Sequence, residues 1–230
     1  MSGKQDRAFV PYTIRPARVE EAPVLARLCM DLVPWGRLRN LGFRFMTLVH
    51  RHMIESKHAT AYVGDSHGRV VGYMTGTSDR KAFNREFLLK YGIRAALIAL
   101  PRLFLPSNVK VVLKGLLHFK SQHFDDPNAE MIAGAVLPEY QGAGIFRRLY
   151  DHNLMVMKNR GCTKAMIGTV DASNDRANDV YQRYGWRPVR NQSFYDDTTV
   201  TIYHIDLVDW TPRDPVNLPA KVLDPAAQRV

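Results

Sequence analysis

Apolar residues in the first third of the chain change their spacing several times, and each change predicts an element. Tyr12-Thr13-Ile14-Arg15 alternates and stops at Pro16, the pattern of a short strand. From Glu20, apolar Val24, Leu25, Leu28 and Leu32 recur at helical spacing, which predicts a helix closed by Pro34. Leu41, Phe45, Leu48, Val49 and Met53 share one face of a second predicted helix, Leu38 to Ile54. Its opposite face carries Arg44, His50, Arg51 and His52. Residues 60–64 and 69–77 read as the two arms of a hairpin, joined by Asp65-Ser66-His67-Gly68 with the polar residues and glycine of a tight turn.

Residues 79–127 break the pattern. Arg80, Lys81, Arg85, Lys90, Arg94, Arg102, Lys110, Lys114 and Lys120 interleave with Phe83, Phe87, Leu88, Leu97, Leu100 and Leu103, and Pro101 and Pro106 interrupt the run. Two or three amphipathic helices forming an insertion are expected, too short and too charged to span a bilayer. The plainest reading is a helical cap on one side of the domain. A substrate lid and a membrane-surface helix are the two others. Strand character returns from Glu130 to Val136. A helix from about Gly144 to Asn159 follows, ended by Gly161, then a strand at 164–170, a helix at 173–184, and strands at 186–189 and 198–207. These elements predict one α/β domain over residues 1–210 and a Pro-rich tail at 211–230.

The chain has 230 residues, of which 46% are hydrophobic and 10% aromatic, enough for a sizeable core. Its formal charge of +10 favours an anionic partner, a nucleic acid, a membrane surface or a phosphate-bearing small molecule, over the alternative of a basic solvated surface without one. No nucleic-acid motif accompanies that charge, so no nucleic-acid partner is expected. Cys29 and Cys162 match neither a metal nor a redox spacing and read as small apolar residues of a reducing compartment. His50 and His52 point apart on a helix and His58 falls in a loop, so no metal site is expected. Residues 1–7 lack the apolar stretch of a secretory signal, which predicts a cytoplasmic protein and leaves the Asn191-Gln192-Ser193 sequon without meaning.

The segment Ala135-Val136-Leu137-Pro138-Glu139-Tyr140-Gln141-Gly142-Ala143-Gly144-Ile145-Phe146 places a glycine turn between a strand and a helix. Converging amides and the helix dipole make that arrangement an anion site. A dinucleotide loop would need a third glycine where Arg147 stands, and a nucleotide P-loop a Gly-Lys-Ser/Thr ending. Downstream, Asn174, Ala177 and Tyr181 share one side of a helix that Gly185 ends before Trp186. With these two motifs in this order, residues 130–187 resemble the GCN5-related N-acetyltransferase (GNAT) superfamily. Gln141-Gly142-Ala143-Gly144 fits its phosphate signature, and Asn174, Ala177, Tyr181, Gly185 and Trp186 fit its second motif.

The resemblance implies a GNAT fold: a mixed, mostly antiparallel twisted sheet of about six to seven strands flanked by helices. It implies acetyl-CoA as cosubstrate and direct transfer of the acetyl group to a primary amine in a ternary complex. The backbone of Ala135 and Val136 would pair with the pantetheine arm. The amides of Gln141, Gly142, Ala143, Gly144, Ile145 and Phe146 would hold the pyrophosphate, and Asn174 would bond the pantetheine region. Tyr181 would be the general acid for the leaving thiolate. Phe146 departs from the usual small residue and is tolerable if its ring turns away from the phosphate. The base is open, because Thr169 stands where some relatives carry glutamate. Glu130 and Asp171 are the remaining carboxylates, and a water relay is the other route. The acceptor is a small-molecule or peptide amine, anionic if the cations of 79–127 face it. A longer acyl chain, a non-catalytic CoA-binding or membrane-surface module, and a homodimer are the other expectations to be weighed.

Overall fold

The computed structural model describes residues 11–33, 37–103, 126–171, 174–193 and 199–213. The alternating segments become strands β1 (Thr13–Pro16), β2 (Ala59–Ser66), β3 (Arg69–Thr77), β4 (Ala129–Val136), β5 (Lys164–Asp171), β6 (Arg187–Ser193) and β7 (Thr199–Asp206). They join in a seven-stranded sheet of order β1-β2-β3-β4-β5-β7-β6. Among the described strands only the neighbours β4 and β5 pair in parallel, so the sheet is mixed and mostly antiparallel as expected. The β2–β3 hairpin closes on the pair Ser66↔Arg69. His67 and Gly68 turn the chain at φ 52° and 82°, the left-handed pair that matches the twist of the flanking strands.

Helices cover both faces. α4 (Ile145–Asn159) and α5 (Asp175–Arg183) lie on one, where Leu149, Leu154 and Met157 pack against Met131, Ile167, Tyr203 and Ile205. On the other, α1 (Ala22–Leu32) and α2 (Phe43–Glu55) set Leu25, Ala26, Met46 and Ile54 against Ala61, Val63 and Tyr73. α3 (Arg80–Leu103) forms an outer layer on α2, with Tyr91, Ala95 and Ala99 meeting Phe45 and Leu48.

Three expectations are corrected around α2 and α3. The predicted helix 38–54 is broken: a short 3-10 turn, Arg37–Leu41, precedes α2, and Gly42 at φ 87° makes the corner. The expected polar face of α2 is split: Arg44 and Arg51 are exposed, but the two histidines are not. His50 and His52 are 1% and 0% exposed, His52 lying 4.5 Å from the Phe83 ring with Nε2 3.1 Å from the Phe83 carbonyl. His50 Nδ1 lies 2.8 Å from the Met46 carbonyl. Burial pushes both imidazoles below their ordinary pKa. Pro101 does not interrupt the insertion as expected: residues 80–103 form one continuous helix of 24 residues. Pro101 falls in its last turn, where it removes one intrahelical bond and leaves the preceding turns intact. Pro106, the remainder of the insertion up to residue 125, and the tail beyond 213 lie outside the described residues.

Cys29 is buried, Cys162 is half-buried, and both are free thiols. Among the described residues no helix is long and apolar enough to cross a membrane, and no three His, Cys, Asp or Glu residues cluster as metal ligands.

Glu55 ties α3 to α2. It accepts from Lys90 Nζ at 2.6 Å, from Arg51 Nε at 2.8 Å, and from the Tyr91 hydroxyl. Burial alone would raise its carboxyl pKa, but these donors outweigh it and push the value down to about 2. A carboxylate depressed on folding stabilises the native state fully above its unfolded pKa of 4.5 and loses that contribution as pH falls toward about 2. The thermal midpoint of Glu55→Gln is therefore expected below wild type at neutral pH, with the difference closing between roughly pH 4.5 and 2. Melts followed by circular dichroism across that range test it, and a gap independent of pH would remove the ionic role of Glu55.

Candidate active site

β4 and β5 pair at Ala129↔Ala165, Glu130↔Met166 and Met131↔Ile167, and there the ladder ends although both strands continue. Each strand carries an extra residue just beyond this point. Against β3 the register runs Thr75↔Ala133 and Gly76↔Met131, leaving Ile132 unopposed. Against β7 it runs Ile167↔Tyr203 and then Val170↔Thr201. A bulge bends its strand and ends local pairing. Side chains agree: Ile132 packs near Met53 and Phe83 while Ala133 packs with the α1 cluster, two consecutive residues on one face. Two bulges at one level thus part the strands.

The parting exposes particular peptide groups of β4. The Leu137 amide donates to the Val71 carbonyl at 2.9 Å. Alternation along an antiparallel pair then turns Ala135 and Ala133 toward β3, and Gly134 and Val136 toward the gap. Of the two residues expected to face a pantetheine arm, Val136 lies on that side, with its carbonyl accepting from Gln141 Nε2 at 3.1 Å. The peptide groups of Ala135 face away. Gly134, which sequence reasoning missed, is the second residue facing the gap.

From Val136 the chain runs through a single 3-10 turn, Pro138–Tyr140, into Gly142 and Gly144 at φ 87° and 80°. Gly144 is the N-cap of α4, and no side chain caps the helix. Its first-turn amides, among them those of Ile145 and Phe146, have no acceptor within the helix. The first turn contains no acid, and Arg147 and Arg148 follow directly. The turn is pinned from below by the Tyr12 hydroxyl donating to the Ala143 carbonyl at 3.1 Å. Phe146 stacks on Tyr150, ring centroids 6.4 Å apart and planes within 22°, so its ring is committed to the helix surface.

Close approach of α4 to the sheet depends on two paired glycines, Gly64 of β2 and Gly72 of β3. A Cβ at Gly64 would stand 2.8 Å from Ile145 Cγ2. One at Gly72 would stand 2.9 Å from Val136 Cγ2 and 3.1 Å from the Ala135 carbonyl.

On the same face of the sheet, Asn174 caps α5 by accepting the Ala177 amide at 3.1 Å. This uses its Oδ1, and Nδ2 is the end of the amide left for another partner. Asn178 fastens the helix to the sheet, its Oδ1 accepting from the buried Tyr203 hydroxyl at 2.7 Å. Tyr181 lies half-buried between Trp186 and Tyr203, at centroid separations of 6.3 and 6.0 Å. Burial pushes its phenol up to about 12, and its hydroxyl has no hydrogen-bond partner among the described residues.

Glu130 lies on the opposite face. Glu130, Met166 and His204 are register neighbours across β4, β5 and β7, alternating with the Met131, Ile167 and Tyr203 set under α4. Glu130 Oε2 is 3.1 Å from Arg80 Nη1. Its burial raises its pKa above the usual carboxylate range, against the lowering effect of Arg80. Beside it, Asp126 holds Arg190 by two bonds of 2.8 and 2.6 Å and approaches His204 Nε2 at 3.3 Å. The fold therefore brings the glycine turn and the Gly134–Val136 edge together at the gap and sets Tyr181 on that turn's side of the sheet. Glu130 is on the far side of the sheet. The side chains of Thr169 and Asp171 lie outside the described set.

A parted parallel strand pair feeding an uncapped helix is also the region that a model of known proteins matches: the one described as acetyltransferase (GNAT) family covers residues 33–186, well over half of the chain. The chain belongs to the GNAT family. No curated protein sequence matches it. Solved structures agree in fold at low identity. SsHAT is 20% identical, with 86% of this chain and 99% of that chain covered and a TM-score of 0.57. The ribosomal-protein-S18-alanine N-acetyltransferase of Escherichia coli is 13% identical over 88% and 98%, TM-score 0.53. The yncA protein of Salmonella typhimurium, solved with its cofactor acetyl-CoA, is 13% identical over 87% and 97%, TM-score 0.53. Within this GNAT chain, Gly134, Asn178 and the glycine pair under Ile145 escaped sequence reasoning. Only Asn178 left a local signal, four residues after the cap at Asn174.

Gly64→Ala is expected to destabilise the protein by about 1–3 kcal/mol through overpacking against Ile145. Ile145→Ala should cost less in that background than in wild type. Denaturant unfolding of the four proteins measures the coupling, and strict additivity would mean that Ile145 does not need the space.

Proposed function

We propose that this GNAT chain is an N-acetyltransferase that moves the acetyl group of acetyl-CoA to a primary amine. The observation that carries the reading is the continuity of the β4–β5 gap with the open N-terminus of α4, one path with peptide groups along its wall and amide donors at its end. The diphosphate sits on the amides of Gly142, Gly144, Ile145 and Phe146, beside Arg147 and Arg148, where the helix dipole favours negative charge. Of the other two amides expected there, that of Gln141 donates to the Pro138 carbonyl at 3.2 Å and that of Ala143 to the Tyr140 carbonyl at 3.5 Å. The pantetheine arm runs along β4, its amides meeting the peptide groups of Gly134 and Val136, with the Nδ2 of Asn174 reaching it from the α5 side. The thioester then lies at the level of the bulges.

The amine enters from the face that carries α1, α2 and Glu130. Its lone pair attacks the thioester carbon, and the tetrahedral oxyanion is met by backbone amide at the β4 bulge. The C–S bond breaks, and the thiolate takes a proton or a strong hydrogen bond from Tyr181. Glu130, directly or through water, accepts the proton that the amine loses. Placing acid and base on opposite faces suits this division, because nucleophile and leaving group occupy opposite ends of the breaking tetrahedron. Arg80 and Arg190 are already neutralised by Glu130 and Asp126, which favours a neutral or cationic amine over the anionic acceptor suggested by the cations of the insertion. The free thiols suit a reducing, cytoplasmic setting.

Tyr181→Phe is expected to lower turnover roughly 10²-fold or more, with acetyl-CoA affinity within about twofold of wild type because the hydroxyl meets only the sulfur end. Incubation with acetyl-CoA and a panel of small-molecule and peptide amines, following free thiol and product mass, tests both statements. Acetyl-CoA binding with no product from any amine would make the chain a binding module, and unchanged turnover in the variant would remove the role of Tyr181.

A further inference from the structure

α3 is apolar on two sides. Its inner side, Phe83, Phe87, Tyr91, Ala95 and Ala99, is used against α2. Its outer side carries Leu89, Ile93, Leu97 and Leu100, spaced by four, four and three residues, and these are 79%, 82%, 65% and 49% exposed. Residues at that spacing form one continuous ridge. A ridge of four large aliphatic side chains on one helix is more than the scattered surface apolar residues that need no explanation.

Charge narrows what covers the ridge. Between residues 80 and 103 the helix sequence has six cations, Arg80, Lys81, Arg85, Lys90, Arg94 and Arg102, against the single acid Glu86. Arg80 and Lys90 are held by Glu130 and Glu55, and Lys81, Arg85 and Arg94 are exposed. Lys81, Arg85, Lys90 and His58 line one shallow open depression with Glu86, next to Leu89. Arg94 is exposed on the same stretch. A second copy of this face would bring like charges together. Nucleic acid would use the cations and leave the ridge in water. An apolar protein groove would bury the ridge and leave the neighbouring cations without a role. A bilayer interface with acidic headgroups meets both features, burying the ridge below the headgroups and holding the cations at them. The helix is about 36 Å long and tied to the body along its inner side, so it lies in the plane of the interface and does not cross it.

We infer that the outer face of α3 seats the protein on anionic membrane surfaces. The inference is independent of the acyl-transfer reading, since none of the ridge residues belongs to the gap or the glycine turn. The full chain is sedimented with vesicles of phosphatidylcholine alone and with vesicles containing about one-third phosphatidylserine, at low and at physiological salt. Wild type is expected to bind the acidic vesicles at least about tenfold more tightly than the neutral ones. Leu89→Ser combined with Ile93→Ser and Leu97→Ser is expected to abolish binding. Arg85→Glu with Arg94→Glu is expected to remove the preference for acidic lipid. Circular dichroism and acetyl-CoA affinity, which should not change, show that each variant is folded. The inference is overturned if wild type ignores both vesicles, or if the serine variant binds as well as wild type. It is equally overturned if sedimentation equilibrium shows wild type self-associating through the ridge while the serine variant is monomeric.

Discussion

The parting of β4 from β5 is the constraint on which the remaining geometry depends. A parallel pair in the middle of a sheet ordinarily keeps its ladder, because each lost bond exposes two peptide groups that need other partners. Here each strand has one residue too many against its outer neighbour, β4 at Ile132 against β3 and β5 between Ile167 and Val170 against β7. Because β3 and β7 hold these registers over the rest of their lengths, closing the gap would require re-registering the antiparallel ladders on both sides. A one-residue slip would turn buried Met131 or Tyr203 to the opposite face. The opening is thus held by the surrounding sheet and does not need a ligand to keep it apart.

A gap alone would be a groove with two polar walls. What gives it direction is α4, whose uncapped end stands at the C-terminal end of β4. The helix reaches this position because Gly64 and Gly72 leave room for Ile145. Tyr12 then fixes the turn by its bond to Ala143, and the Arg148 guanidinium lies 5.3 Å over the Tyr12 ring. Even β1, the shortest strand, contributes to the site through this contact, because it carries the chain past the base of the glycine turn.

Much of this was legible in sequence, and the exceptions share a cause. Strand alternation placed all seven strands within a few residues, because each face of the sheet meets a different layer. The glycine turn and the helix after it were legible because positive φ and an uncapped start demand particular residues at fixed spacing. The burial of His52 was not, because its cover comes from Phe83, Phe87 and Tyr91, more than thirty residues downstream, and His50 instead turns in against Tyr73 of β3. Polarity alone assigns such histidines to solvent. The bulges were not legible either: Ile132 and Ala133 are ordinary strand residues, and their shared face follows from the β3 register. For the same reason the alternation in Gly134-Ala135-Val136 could be seen, but not which peptide groups turn toward the gap.

The most demanding part of the proposed chemistry is the proton for the leaving sulfur. A phenol near its reference pKa would face a thiol of about 8.5, a small uphill step. Tyr181 is pushed up to about 12 by burial between Trp186 and Tyr203, which widens the difference to roughly 5 kcal/mol if the sulfur keeps its aqueous value. A thiolate released in the same apolar surroundings is desolvated as the phenolate is, and its pKa rises by the same mechanism. Burial that weakens Tyr181 as an acid would then also strengthen the thiolate as a base, and a hydrogen bond between the two would gain from the apolar surroundings. A hydroxyl without a partner among the described residues is therefore consistent with a donor whose acceptor arrives with the cosubstrate.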